Sequence, residues 1–461
     1  MRRIASVLVA VVCSVGFLAC SCSGDKPPGG NPPGGIPPVE KTSRFFLPTG
    51  EPRNTTRPRV EVDANGNLHM VYPASSVGDA FYAYCPGNCS SAEQAKVVRF
   101  STQGTVDNAM VALGPDGRPH VLLSTYQRAY YASCTGDCSQ QSSWTVSSIL
   151  EHGGKYEISG EAFALTPEGH PRFILHGYRS LRGATPSTFY VQCDSSCQAA
   201  ANWHASQISD QTWQEVTLRF NASGQARLTA TKPANDGSSQ HKGSYGECDA
   251  NCSQPSNWKT LDLYNTFSSL TELARMYPSV SMALTSSGKP RVVLLGADEG
   301  GSGERNLVYA ECDGNCLVNE GWQAQFLIPA GSDGNKLRAG VDLALDAQNR
   351  PRLVYTADYN ILLAHCDADC TDPDKSTWQL KKVEFSGDMQ ADNVIPYSNC
   401  TMASWFLFHP SLAIGRDGLP RVAYQAADIS GGGSHPEPGT TPCSAGADMT
   451  FARFSQLDSL R

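Results

Sequence analysis

One thirteen-residue pattern of apolar and polar positions recurs seven times along the chain. It reads VEVDANGNLHMVY (60–72), VALGPDGRPHVLL (111–123), FALTPEGHPRFIL (163–175), LRFNASGQARLTA (218–230), MALTSSGKPRVVL (282–294), LALDAQNRPRLVY (343–355) and LAIGRDGLPRVAY (412–424). Each copy is an apolar run, a polar turn and a second apolar run. The seventh position is Gly66, Gly117, Gly169, Gly224, Gly288, Asn349 or Gly418. These residue types tolerate a positive φ, so each copy predicts two antiparallel strands joined by a tight turn.

A second pattern follows six of the seven copies: a β-prone stretch, a Cys-x-x-x-Cys loop and, in five of them, a Trp six to eight residues after the second Cys. It predicts a second hairpin. Four strands per repeat, at periods of 51 to 69 residues between the turn positions, make an all-β fold. The expected architecture is a seven-bladed β-propeller with four antiparallel strands per blade. The seventh repeat ends on a single strand over 449–454, with Phe454 read at the place of a first Cys. A spare strand, 44–47, precedes the first repeat. Pairing the two closes the ring and removes two open sheet edges. The propeller is therefore assigned to residues 44–461.

The chain has 461 residues, with Lys plus Arg at 36, Asp plus Glu at 44 and a net charge of −8. An acidic balance excludes a general nucleic-acid binder, which needs a basic field. Residues 1–19 combine Arg2 and Arg3 with the apolar run IASVLVAVVCSVGFL, the make-up of a secretion signal. Residues 20–43 are rich in Pro and Gly and read as a tether. Extended at ~3.1 Å per residue, its first eighteen residues would reach roughly 55 Å.

The ending Phe17-Leu18-Ala19-Cys20 resembles the bacterial lipoprotein processing box, with Leu one place later than usual. The resemblance implies a lipid on Cys20, attachment to the cell envelope through that lipid, and an outer-membrane location. Cys22 is left odd, free or beside the lipid.

In an exported chain the spacing Cys-x-x-x-Cys predicts disulfides Cys85–Cys89, Cys134–Cys138, Cys193–Cys197, Cys248–Cys252, Cys312–Cys316 and Cys366–Cys370, each across its hairpin loop. Zinc sites favour other spacings. Cys400 and Cys443 lie in loops that a propeller places on one face, which allows a seventh bond between them. The repeated Trp144, Trp203, Trp258, Trp322 and Trp378 are expected to pack between blades. The repeated basic positions His69, His120, Arg172, Arg227, Arg291, Arg352 and Arg421 are expected to serve the scaffold. The Trp-bearing hairpins resemble the Asp-box repeats of sialidase-type propellers, without the Ser-x-Asp-x-Gly core.

The hairpin turns and Cys loops are nearly alike in every blade, so the opposite face, with uneven loops, is where binding residues are expected. Its richest segments are 176–187, 264–277, 296–305, 385–409 and 429–448. Segment 264–277 is expected to be helical, with Ser269 and Glu272 as a capping box. The ligand-binding candidates are His176, Tyr178, Arg179, Arg182, Tyr277, Trp405 and His409, since aromatics with Arg at a concavity suit a sugar ring or a partner side chain. No catalytic residue is assigned, because the chain lacks a nucleophile elbow, a His-Glu-x-x-His helix and a phosphate loop. No cofactor or resident metal is assigned; Asp-rich loops such as 296–305 could take calcium. These residues point to an envelope-anchored module binding an envelope protein or extracellular glycan. The alternative is a sialidase-like glycoside hydrolase or a polysaccharide lyase on the same scaffold.

Overall fold

The computed structural model describes residues 42–460 apart from 50–53, 75–77, 88, 178–184, 234–240, 264–271, 274–279, 298–304, 329–336, 393–399, 402–404, 428–440 and 443–449. The leader, Cys20, Cys22 and the tether to residue 41 lie outside the described residues, as do Tyr178, Arg179, Arg182, Tyr277, Cys443 and most of the Asp-rich loop 296–305.

Seven sheets of antiparallel strands follow one another along the chain, and the first strand of each blade neighbours the first strand of the next in an unbroken cycle. Blade 1 is built from 59–62, 68–73, 79–85 and 96–101, and blade 2 from 106–113, 119–125, 128–134 and 144–151. Blade 7 takes three strands from the end of the chain and its outermost one from the beginning: Thr42–Phe46 pairs antiparallel with Thr450–Leu457, with Phe45 opposite Phe454. The ring is closed as the pattern required. All seven turn positions adopt a positive φ, between 61° and 85°.

Six Cys-x-x-x-Cys disulfides are present, with Cα–Cα distances of 5.6 to 5.8 Å. They differ from the expected geometry in one respect. The strand partner of Cys134 is Trp144 and that of Cys312 is Trp322, so each staple closes the first turn of the loop rather than joining the two strands. The register also moves the blade 7 counterpart. Arg421 faces Gln456 there, whereas Arg291 faces Glu311 next to Cys312. Leu457, not Phe454, therefore occupies the place of the first Cys. The expected helix is not formed at Glu272–Leu273, which pair as a short strand with Gly296 and Ala297. The rest of 264–277 lies outside the described residues. Cys400–Thr401 pairs parallel with Thr441–Pro442, next to Cys443 in sequence.

The Trp and Arg repeats have defined scaffold roles. Every Trp of the series donates its Nε1–H to the carbonyl of the second Cys of its own loop, at 2.7 to 2.9 Å. Its ring meets a Tyr on the third strand of the preceding blade: Trp144 on Tyr82, Trp203 on Tyr131, Trp258 on Tyr190, Trp322 on Tyr245 and Trp378 on Tyr309, with centroids 4.6 to 6.0 Å apart. Aromatic pairs at this separation are favourable beyond the area they bury. Arg352 donates to the carbonyl of Cys366 at 2.7 Å and to Asp367 at 2.7 Å, and Arg291 repeats the arrangement with Cys312 and Asp313. Staple, Trp and Arg thus fix one loop from three directions.

Candidate functional site

The innermost strands depart from regular pairing at their entry ends. Register shifts occur at 106–108 in blade 2, 214–217 in blade 4, 337–341 in blade 6 and 408–411 in blade 7. A bulge adds a residue to one strand and re-aims a side chain. Glu215 and His409 are bulge residues, and both adopt a left-handed backbone, with φ of 48° and 50°. Arg57, just before the first strand of blade 1, has φ of 39°. Such angles cost free energy for a residue with a Cβ.

These three left-handed residues line one cavity of about 410 Å³, on the face that carries the links between blades. Asp107, Tyr126, Tyr156, Glu157 and Arg59 complete its polar wall. Tyr126 stands at 47% exposure, an unusual value for a large aromatic in this molecule. Ser159 Oγ accepts the Glu215 backbone N–H at 2.9 Å. Burial raises the Glu215 carboxyl above its ordinary range, opposed by Arg57, His176 and Arg59 and reinforced by Glu157. Burial also holds His409 well below the usual histidine value, with Arg57 and Arg59 adding to the effect.

The axis beneath is occupied. Gly160–Glu161 pairs parallel with Val216–Thr217, and a Cβ on Gly160 would stand 2.7 Å from the Val216 carbonyl oxygen. Only a residue without a side chain allows this approach. Glu161 is clamped by Arg59 at 2.9 Å and by Arg219. Asp342 accepts the Leu412 N–H at 2.7 Å and the Ser281 hydroxyl at 2.9 Å. Blades 1, 3, 4, 5, 6 and 7 thereby meet in one charged knot. Burial and the charge of Glu161 raise Asp342; burial would raise Glu161 too, but Arg219 and Arg59 outweigh it. Below the knot a second cavity of about 360 Å³ is lined by Glu61, Arg219 and apolar side chains such as Phe163 and Phe220. Burial pushes Glu61 up to about 7, with Arg219 opposing and Glu161 adding.

Two of the seven sequence candidates come together at the loop face. His409 lines its cavity, and His176, buried, lies with Nε2 3.8 Å from Glu157 Oε2. Trp405 is elsewhere, 3% exposed and packed on Phe46 and Phe451 in blade 7. Sequence reasoning missed Arg57, Tyr126, Tyr156, Glu157 and Glu215. Among the described residues no cluster of His, Cys, Asp or Glu could hold a metal ion, and no helix is long and apolar enough to cross a membrane.

The fold defines a seven-bladed β-propeller. The chain is similar in structure to a fungal alcohol oxidase in complex with copper, with a TM-score of 0.50 and 12% identity over 91% of this chain and 76% of that one. An ulvan lyase, described as a new family of polysaccharide lyase, gives 0.49 and 11% over 81% and 92%. A neuraminidase-like protein of A/flat-faced bat/Peru gives 0.40 and 11% over 75% and 93%. No family model and no curated protein matches the sequence.

Proposed function

We propose that this protein is an exported, lipid-anchored propeller whose loop-face axial cavity binds the end of a glycan chain. The convergence of Arg57, Glu215 and His409 carries the reading. Three blades each bend the backbone unfavourably to point a polar side chain into one cavity. Strain of this kind persists where a site requires it. The cavity volume suits one or two sugar units, and enclosure favours a chain end over a flat protein surface. Tyr126 and Tyr156 supply faces for a sugar ring, and the surrounding carboxyl, imidazole and guanidinium groups supply hydrogen bonds to hydroxyls. Six disulfides fit an oxidising compartment, and Cys20 supplies the anchor. The Pro/Gly-rich residues 20–43 would then serve as the tether between that anchor and the ring.

The test uses the full chain purified in detergent on a glycan array. Retention of a defined glycan group, weakened at least tenfold in Arg57→Ala, is expected. An array on which nothing is retained, while an envelope protein co-purifies, would replace the glycan by a protein partner. Loss of alkyne-palmitate labelling in Cys20→Ser checks the anchor.

A further inference from the structure

We propose that the loop-face cavity also cuts what it holds: Glu215 donates a proton to a glycosidic oxygen, and Glu157 activates the water that replaces it. This inference rests on the glycan reading above. Both carboxyl groups line the same cavity, but they sit in different surroundings. Glu215 is half-buried at a bulge in the first strand of blade 4. Its backbone N–H is held by Ser159 Oγ at 2.9 Å. Arg57, His176 and Arg59 oppose the effect of burial on its carboxyl without outweighing it. Burial favours the form that keeps its proton. Glu157 is 45% exposed at its side chain and open to water, with the His176 ring 3.8 Å behind it.

A carboxylic acid and a carboxylate facing one cavity are the two groups that glycoside hydrolysis needs. The proton of Glu215 moves to the bridging oxygen as the bond from that oxygen to the anomeric carbon breaks. The bonding electron pair leaves with the oxygen. Water bonds to the anomeric carbon and gives its proton to Glu157, so one water is consumed per bond and no other reactant is required. Proton exchange with solvent restores both groups. Arg57 and His409 flank the site and are assigned to holding the sugar.

The backbone offers an uncommon control. Glycine prefers the φ of 48° that glutamate holds here, so Glu215→Gly removes the acid while relieving the strain. Its thermal midpoint should rise or hold. The full chain is incubated with cellotetraose, xylotetraose, chitotetraose and tetragalacturonate, with binding read by calorimetry and products by mass spectrometry. At least one tetrasaccharide should be bound and shortened. Both Glu215→Gly and Glu215→Gln should lower that rate about 100-fold or more. They should lower it far less on the matching 2,4-dinitrophenyl glycoside, whose leaving group needs no proton, and the alkaline limb of the pH profile should vanish. Tetrasaccharide bound and left intact overturns this inference and leaves the glycan reading standing. Binding of none overturns both. An equal loss on both substrate types would make Glu215 a positioning residue and refute the acid assignment.

Discussion

Between blades 1 and 2 the seam is made by Trp144 against Tyr82 and Phe100, neutral and apolar. Between blades 6 and 7 it is Glu384 against Arg453. Two hydrogen bonds of 2.7 and 2.8 Å join them, and both side chains are 2% exposed. Tyr424 donates to the same carboxylate, and the ring of Phe46 lies 4.8 Å from the guanidinium. The stapled seams repeat a local motif, since staple, Trp and Arg sit within one loop. The seam between blades 6 and 7 lies beside the closing strands 42–46 and 450–457, with Arg44 Nε 4.0 Å from Glu384, and it relies on a directional charged pair. The charged knot on the axis shares this character: both are places where distant segments must find one register. An apolar seam tolerates sliding, whereas a bidentate ion pair does not.

The largest effect is expected at the charged seam beside the closing strands. Glu384→Ala leaves Arg453 buried without its partner and should cost about 3–5 kcal/mol. Denaturant unfolding measures it. Hydrogen exchange should show the 42–46 strand released before blades 2 to 5. Replacing both partners together, Glu384→Leu with Arg453→Met, should recover much of the loss. A double variant as damaged as the single would mean that the pair contributes net stability, not registry.

The axis makes a second, pH-dependent contrast. Glu61 titrates at about 7 in the folded chain against 4.5 when unfolded. The folded state therefore holds a proton that the unfolded state has released, and stability falls as pH rises from 4.5 to 7. Glu61→Gln removes this penalty. Its gain over the parent should be small at pH 4.5 and grow to roughly 2 kcal/mol by pH 8, after allowance for the partial exposure of the group. A gain that does not change with pH would show that Glu61 is ionised throughout.

The same division decides what could be read from the chain. Turn glycines, Cys loops and Trp positions act within a dozen residues of one another, so their spacing revealed strand number, blade number and closure. Arg57, Glu215 and His409 belong to blades 1, 4 and 7 and meet only after the ring forms. Glu215 sits in Trp213-Gln214-Glu215-Val216, where the one local signal is an extra residue in an otherwise regular strand. His176 and His409 could be singled out because they flank long loops. Trp405 carried the same signal, yet it fills the core beside Phe46. Residue type and loop position cannot separate a pocket aromatic from a packing one. At Glu272–Leu273 the expected helix gives way for a related reason. A capping box is a local preference, and pairing of Glu272–Leu273 with blade 5 overrides it.

On the stapled side, removing one disulfide should matter less than breaking the Glu384–Arg453 pair. Cys312→Ser with Cys316→Ser opens a five-residue loop and should cost about 2 kcal/mol by chain entropy. The damage should stay within blade 5. Exchange confined to 305–328, with the 42–46 strand still protected, is the expected result. Early release of the closing strand would show instead that staples act on the whole ring.

The smallest effect isolates one hydrogen bond of that loop. Trp322→Phe keeps an aromatic ring against Tyr245 but removes the Nε1–H that reaches the Cys316 carbonyl at 2.9 Å. About 1 kcal/mol should be lost, the usual net value of such a bond. If the Trp acts mainly as a packing wedge, Trp322→Leu should cost more than Trp322→Phe, because it also loses the contact with Tyr245. If it acts mainly to fix the loop, the two variants should cost the same in the parent. Both should then cost little once the Cys312–Cys316 staple is removed, since the loop they order is already loose. A double-mutant cycle between Trp322→Phe and the Cys pair reads the difference directly. Coupling near zero would make staple and Trp independent devices, and coupling near the whole 1 kcal/mol would make them one.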